Sequence, residues 1–213
     1  MPVDVSQEQL LRVAEERAAQ YPGLQVLPVC ADYNQPVVLP PLPDTARRVA
    51  FSPGSTIGNF HPTDAAAFLR RVRQTVGSRG GLILGVDRRK EAQVLHDAYN
   101  DAAGVTAEFN LNLLTRLNRT LGATFDLNTF RHVAFFNDAA SRIEMHLESR
   151  ITQQVLVAGV EIYFQAGETI HTECSYKYDE DRLRALAEAG GFRIHTLHTD
   201  AQHWFWVAWL EAI

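Results

Sequence analysis

The order of hydrophobic and polar residues divides the chain into helical and extended stretches. Five segments carry helix patterns with start or stop signals: 10–20, 63–76, 91–100, 105–121 and 179–189. Ser6-Gln-Glu-Gln9 is typical of a capping box before the first segment, and Thr63 is the expected N-cap of the second. Gly77, Gly122 and the pair Gly190-Gly191 follow three of the segments, as expected at helix ends.

Extended segments alternate with these helices. Residues 24–29 form a short apolar run, and residues 49–52 have the composition of a buried strand. Residues 81–87 are continuously apolar, as in a parallel strand that is covered on both faces. Between 131 and 169 a two-residue period dominates, and Ile143, Met145 and Leu147 alternate there with polar residues. The mixture of patterns predicts an α/β fold.

Turn signals complete the outline. Ala158-Gly159 predicts a hairpin turn, and residues 36–43 form a proline-rich loop. Strands 192–197 and 204–210 should pair antiparallel, because the segment between them is too short for a parallel crossover. We predict a split arrangement in which residues 1–90 and 179–213 form part of a Rossmann-like sheet. Residues 91–178 are then an inserted α+β lobe.

Composition narrows the class of protein. The chain has 213 residues, of which 46% are hydrophobic, enough for one domain or a domain with a smaller lobe. The net charge of −5 offers no basic surface for nucleic acid, and short basic runs such as 88–90 are expected on solvated faces. No apolar run approaches the ~20 residues of a membrane helix. The N-terminus lacks signal-peptide features, and the two distant cysteines indicate a reduced, cytoplasmic protein.

Two stretches concentrate the candidate chemistry. In residues 51–60 a strand runs into a Pro-Gly-Ser-Thr loop, and such loops at carboxyl ends of strands hold ligands in α/β sheets. Residues 170–178 place a carboxylate, a hydroxyl and two phenols within nine positions. Together they predict a polar pocket for a small zwitterion. His195, His198, Asp200 and His203 match no common zinc spacing, so we expect no metal.

Several motifs, in order along the chain, resemble one family. They are residues 2–6, 51–60, 99–104, 109–112, 142–146 and 167–178. They are similar to the histidine-specific, S-adenosylmethionine (SAM)-dependent methyltransferases, which are the L-histidine Nα-methyltransferases of ergothioneine biosynthesis. The resemblance implies a SAM-methyltransferase sheet that ends in an antiparallel hairpin. It also implies that the early strand and glycine-rich turn that hold the cofactor are lacking here.

The resemblance assigns three residues to the amino-acid end of the substrate. Asn59 and Tyr99 would hold the substrate carboxylate, and the backbone at Gly54 would lie beside the amine. Each has a plainer reading from sequence alone. Asn59 could bond local backbone at a helix entry, Tyr99 could be a core or surface tyrosine, and Gly54 could be a turn glycine.

Further positions would recognise the ring and the cofactor. Glu173 and Ser175 share one face of an extended segment and, by resemblance, bind the imidazole, while Met145 packs on its face. Without the resemblance, Met145 would be a core residue and the other two would be surface residues. Asp32 and Tyr33 match the position of adenine contacts in methyltransferases, although Asp32 could simply be a turn aspartate.

The sequence therefore predicts methyl transfer from SAM to the α-amine of L-histidine by a monomer, without a protein nucleophile. Positioning should dominate, because an amine needs only a neutral lone pair aligned with the sulfonium methyl. Two alternatives remain open. The chain could be a non-catalytic remnant that binds a small amino acid, or the same scaffold could methylate a different amino acid.

Overall fold

The computed structural model describes residues 1–37, 39 and 46–213, so most of the loop predicted over 36–43 lies outside the described residues. The helices are α1 (Gln7–Gln20), α2 (Pro62–Val76), α3 (Ala92–Tyr99), α4 (Val105–Leu121) and α5 (Glu180–Ala189). The strands are β1 (Val3–Asp4), β2 (Val29–Cys30), β3 (Val49–Ser52), β4 (Gly81–Asp87), β5 (Phe130–Asn137), β6 (Arg142–Ser149), β7 (Gln153–Val157), β8 (Val160–Phe164), β9 (Thr169–Tyr176), β10 (Phe192–Thr199) and β11 (Phe205–Ala212). None of the helices among these residues combines the length and apolar character of a membrane span.

A four-stranded sheet in the order β10-β11-β4-β3 forms the first layer. β3 and β4 are parallel, and β11 is antiparallel to both β4 and β10, as predicted for a parallel sheet that ends in a hairpin. Leu82, Leu84 and Val86 of β4 are fully buried, because α2 and α5 cover the sheet with residues such as Leu69 and Leu183. The continuous apolar run in β4 thus reflects burial in the centre of the sheet.

A second, antiparallel sheet in the order β5-β6-β9 is followed along one face by α3 and α4. Ile143, Met145 and Leu147 of β6 are buried on that face, as their alternation predicts. The β7–β8 hairpin turns through Ala158 and Gly159, both with positive φ, which fits the predicted tight turn.

The end of β9 joins this second sheet to β4. Tyr178 donates its backbone N–H to the carbonyl of Asp87 at 3.1 Å and accepts the N–H of Arg89 at 2.8 Å. The end of β4 therefore lies beside the residues that follow β9. The boundaries of the predicted split, 1–90 with 179–213 and 91–178, stay a prediction.

Several local predictions were wrong at their edges. Of residues 24–29, only Val29 is in a strand, because β2 pairs with β1 over just two residues, Val29 and Cys30. α2 begins at Pro62 with His61 as N-cap, where Thr63 was expected, since proline favours the first helical position. Ser6 is the N-cap of α1, but its backbone N–H donates to Oδ1 of Asp4 at 2.8 Å. Its side chain makes no capping hydrogen bond, so the capping box does not form.

The strand expected to be buried over residues 49–52 is an edge strand. Val49 and Phe51 of β3 are exposed, and 69% of the Phe51 surface is accessible. Among the described residues β3 pairs only with β4, so its outer edge has no neighbouring strand. In this edge strand alternate side chains remain exposed to solvent, and the composition of a four-residue run does not reveal which strands lie at an edge.

Candidate functional site

The ends of β4 and β9 meet at an ion pair whose lysine is buried. The ammonium of Lys177, only 1% exposed, lies 2.6 Å from Oδ2 of Asp87. Lys90 lies 2.5 Å from the other carboxylate oxygen, and the Asp87 backbone N–H donates to Oγ of Ser55 at 2.8 Å. A buried charge is tolerated when it is paired and its hydrogen bonds are made, and both conditions hold here. The loop after β3, the end of β4 and the end of β9 are therefore tied together.

Two predicted site residues, Tyr99 and Ser175, touch each other. Tyr99 ends α3, and its hydroxyl lies 2.8 Å from Oγ of Ser175 on β9. Lys177 donates to both hydroxyl oxygens at 2.8 Å, and its ammonium lies 4.8 Å from the centroid of the Tyr99 ring. The three polar groups form a closed triangle in which each side is a hydrogen bond.

Glu173 and Met145 lie opposite each other across the β6–β9 pairing, on the face that also carries Ser175. Met145 is buried in a cluster with Leu95, Ala134 and Ile143, and Tyr99 packs against that cluster. Burial raises the pKa of Glu173, and the charge of Lys177 offsets part of that rise. The predicted parity holds, because Cys174 pairs with Glu144 on the opposite face.

The loop of residues 53–59 lies against β9. A Cβ atom built on Gly58 would lie 2.9 Å from the Tyr176 carbonyl oxygen and 3.7 Å from Oγ of Ser175, so only glycine fits without movement. Asn59 is the next residue and is exposed, and its side chain makes no hydrogen bond with the residues that the structure describes. Gly54 is exposed, and a Cβ atom built on it would have Oγ1 of Thr56 as its nearest neighbour, at 3.9 Å. The roles of Asn59 and Gly54 in binding stay predictions.

Asp32 and Tyr33 lie in a turn after β2. Oδ1 of Asp32 accepts the backbone N–H of Asn34 at 2.8 Å, and the Asp32 carbonyl accepts the N–H of Gln35. The Tyr33 ring meets Phe68 of α2 edge-on, with 6.0 Å between the ring centroids. Asp32 thus makes the turn contact that its plainer reading predicts, while the role of both residues at the cofactor stays a prediction.

The opposite face of the second sheet carries a polar cluster that the sequence did not single out. Glu144, His146 and His171 bring donor atoms within 4.8 Å of one another. Their geometry does not favour a metal ion, because the two imidazoles are stacked with 4.6 Å between centroids and 11° between planes, so one ion cannot lie in both ring planes. Arg142 also binds Glu144 at 2.7 Å and places a positive charge there.

Electrostatics support this reading of the cluster. Burial alone would raise the pKa of Glu144, but hydrogen bonds from Arg142, Asn137 and His146 hold its pKa below the usual range. Burial lowers the pKa of His146, and the hydrogen bond to Glu144 opposes that effect. The carboxylate is therefore ionised and tied to a guanidinium, as in a structural network.

Asp87, Lys177 and Ser55 lie at the candidate site but were not predicted as site residues. All three lie next to predicted features, since Ser55 and Lys177 fall inside the two polar stretches and Asp87 ends the strand 81–87. A polar residue at the carboxyl end of a buried parallel strand is a signal that could have found Asp87. The partner of Lys177 depends on which strand lies beside β9, which no local pattern encodes.

Comparison with known proteins identifies the same family as the sequence motifs. The family described as histidine-specific, SAM-dependent methyltransferases matches residues 1–212. Histidine N-alpha-methyltransferase of Mycolicibacterium smegmatis is 42% identical over 198 residues, which are 92% of this chain and 61% of that protein. The protein of the same name from Mycobacterium tuberculosis is 39% identical, covering 91% of this chain and 61% of the relative. The chain thus spans about three fifths of the length of these curated relatives.

Comparison with solved structures identifies a similar fold. The CcbJ methyltransferase of Streptomyces caelestis superimposes with a TM-score of 0.52 at 16% identity, covering 99% of this chain and 73% of that one. At this identity the likeness concerns the fold alone. It confirms the prediction of a methyltransferase-like α/β architecture.

Proposed function

This chain belongs to the family of histidine-specific, SAM-dependent methyltransferases, and we propose that the protein transfers methyl groups from SAM to the α-amino nitrogen of L-histidine. The observation that carries the proposal is the joining of Tyr99 and Ser175 by Lys177. Glu173 and Met145 lie on the same sheet face. Donors, a carboxylate and an apolar thioether thus come together where three backbone segments meet.

The recognition roles follow from the chemistry of each group. Glu173 is an acceptor for the imidazole N–H, and Ser175 is a donor to the other ring nitrogen. Met145 offers a polarisable side chain that packs on an aromatic face. Tyr99 donates to the substrate carboxylate, and Asn59 has an amide that makes no hydrogen bond with the described residues. The substrate is held at both ends, which leaves the amine between them.

Catalysis then requires mainly that the protein position the substrate amine against the methyl group of SAM. The amine must be neutral and its lone pair must point along the axis of the methyl–sulfur bond. Fixing two reactants in such a geometry can lower the barrier by ~7–11 kcal/mol. Glu173, Ser175 and Tyr99 contribute by holding the substrate so that the amine has one orientation. No side chain forms a covalent bond to the substrate in this scheme.

SAM supplies the electrophilic methyl group on its sulfonium when it is bound. Asp32 and Tyr33 are the described residues that fit its adenine. Oδ2 of Asp32 makes no hydrogen bond with the described residues, and Tyr33 is partly exposed beside Phe68. A carboxylate oxygen accepts from an exocyclic amine, and an aromatic ring packs on a base.

The experiment combines binding and product analysis on the purified protein. Calorimetry with L-histidine and with SAM measures binding, and mass spectrometry after incubation with both detects one, two or three added methyl groups. We expect histidine to be methylated and L-tryptophan and L-phenylalanine to remain unchanged. Methylation of another amino acid in preference to histidine contradicts the substrate assignment. Histidine binding without SAM binding or product favours the non-catalytic alternative.

Variants connect the activity to the proposed residues. Asn59→Ala should weaken histidine binding about 10- to 100-fold, since a hydrogen bond to a charged group contributes about 1.5–3 kcal/mol. Asn112→Ala is the matched control, because Asn112 is also exposed but lies on α4, outside the proposed site. Equal affinities of the two variants for histidine would remove Asn59 from the site.

A further inference from the structure

Lys177 is a buried ammonium group for which methyl transfer itself has no need. Its three N–H donors match three acceptors: Oδ2 of Asp87 at 2.6 Å and the hydroxyl oxygens of Tyr99 and Ser175 at 2.8 Å. The side chain is among the most deeply buried in the described part of the chain. Burying an ammonium carries a large desolvation cost, so its partners define a fixed geometry.

The ammonium determines the direction of the hydrogen bonds around it. An ammonium has donors and no acceptor, so neither hydroxyl can donate to Lys177. Both hydroxyl protons must therefore point elsewhere. In this structure one of them joins the two oxygens, which lie 2.8 Å apart. A substrate with suitable acceptors can accept one hydrogen bond from Tyr99 and one from Ser175.

We propose that Lys177 is a positioning residue that presents Tyr99 and Ser175 as hydrogen-bond donors and so selects a substrate ring with an unprotonated nitrogen. This inference rests on the proposed function. Glu173 on the same face is an acceptor, so the favoured ring carries one N–H and one bare nitrogen. A neutral imidazole satisfies both demands. An indole has only an N–H donor, and a phenyl ring has neither group.

Asp87 holds the ammonium in place. Its Oδ2 pairs with Lys177 and its Oδ1 with Lys90, while its backbone N–H is fixed by Ser55. Lys90 therefore shares the same carboxylate. The Lys90 ammonium also faces the ring of Trp204, 5.7 Å from the centroid, and among the described residues it hydrogen-bonds neither the Tyr99 nor the Ser175 hydroxyl. The chain thus offers a matched lysine for comparison.

The test measures the selectivity between two ligands. L-Histidine and 3-(2-thienyl)-L-alanine share a five-membered aromatic ring, but the thienyl ring has no nitrogen. Calorimetry gives the ratio of their affinities for wild type, Lys177→Met and Lys90→Met. Losing the charged hydrogen-bond donor should lower histidine affinity about 10- to 100-fold in Lys177→Met. Thienylalanine affinity should change less than about threefold, as should both affinities in Lys90→Met.

Two further variants keep the test decisive if Lys177→Met does not fold, which circular dichroism reports. Lys177→Gln introduces an amide carbonyl that can accept a hydrogen bond from either hydroxyl. The ratio of histidine affinity to thienylalanine affinity should therefore fall about tenfold. Lys177→Arg again offers donors only, and should restore the ratio to within about threefold of wild type. Rescue by arginine but not by glutamine is a readout that a purely structural role does not produce.

The contrary results are distinct from failure of the proposed function. Equal losses for both ligands in Lys177→Met and Lys177→Gln, or an unchanged ratio, overturn this inference while leaving histidine methylation intact. Failure of the wild-type protein to bind histidine overturns the proposed function, and this inference with it.

Discussion

Gly58 allows the contact between the 53–59 loop and β9 to be perturbed by a single methyl group. In Gly58→Ala the new Cβ would lie 2.9 Å from the carbonyl oxygen of Tyr176, which is 0.5 Å short of the 3.4 Å at which ordinary contacts begin. The carbonyl belongs to β9, whose pairing with β6 extends to Tyr176, so the strand cannot yield easily. The loop must therefore move away from the site.

The size of the effect follows from overpacking. Inserting a methyl group where there is no room costs about 1–3 kcal/mol of unfolding free energy. The backbone at Gly58 has no positive φ, so alanine adds no conformational strain of its own. A displacement near 1 Å in a positioned site can also reduce catalytic rate by ~10²-fold. Urea denaturation and histidine methylation assays measure the two effects separately.

Gly54→Ala is the matched control for stability. Its added Cβ meets nothing closer than 3.9 Å, so we expect no loss and a gain of up to about 1 kcal/mol from reduced freedom of the unfolded chain. A Gly58→Ala protein as stable as Gly54→Ala, with unchanged histidine binding, would show that the loop and β9 are not held in close contact.

Other predictions concern the carboxylate at the site and the buried face of α4. Glu173→Gln should reduce histidine affinity about tenfold in calorimetry, because a charged acceptor is lost. Burial raises the pKa of Glu173, so its contribution to stability is full below its unfolded-state pKa and is lost as pH rises through the folded-state value. The Gln variant should therefore gain relative stability toward neutral pH in thermal melts, and a growing deficit contradicts this. Leu114→Ala, which empties a fully buried position, should cost about 2–5 kcal/mol in urea denaturation. Leu113→Ala, at a 38% exposed position, should cost under about 1 kcal/mol, and similar costs for both refute the assigned helix face.

Local periodicity predicted much of the fold because it reports burial directly. The two-residue period of β6 identified Ile143, Met145 and Leu147 as its covered face. The same parity placed Glu173 and Ser175 together and Cys174 opposite. The short link between β10 and β11 allowed only an antiparallel pair.

Features that depend on distant partners could not be predicted in this way. A β-bulge shifts the β6–β9 register between Met145 and His146. Phe51 is exposed because its strand lies at the edge of the sheet. The partner of Lys177 is 90 residues away, at Asp87. Such pairings arise from the order of strands, which a single sequence does not state. The proposed substrate comes from the family resemblance, and no local pattern indicates it.

A crystal structure of the protein with L-histidine bound would show whether these side chains hold the substrate. We expect the imidazole to lie between Glu173 and Ser175, with Met145 on the ring face and the substrate carboxylate at Tyr99 and Asn59. Lys177 should keep its contacts with both hydroxyl oxygens. Histidine bound elsewhere on the molecule, or an imidazole that contacts neither Glu173 nor Ser175, would contradict it.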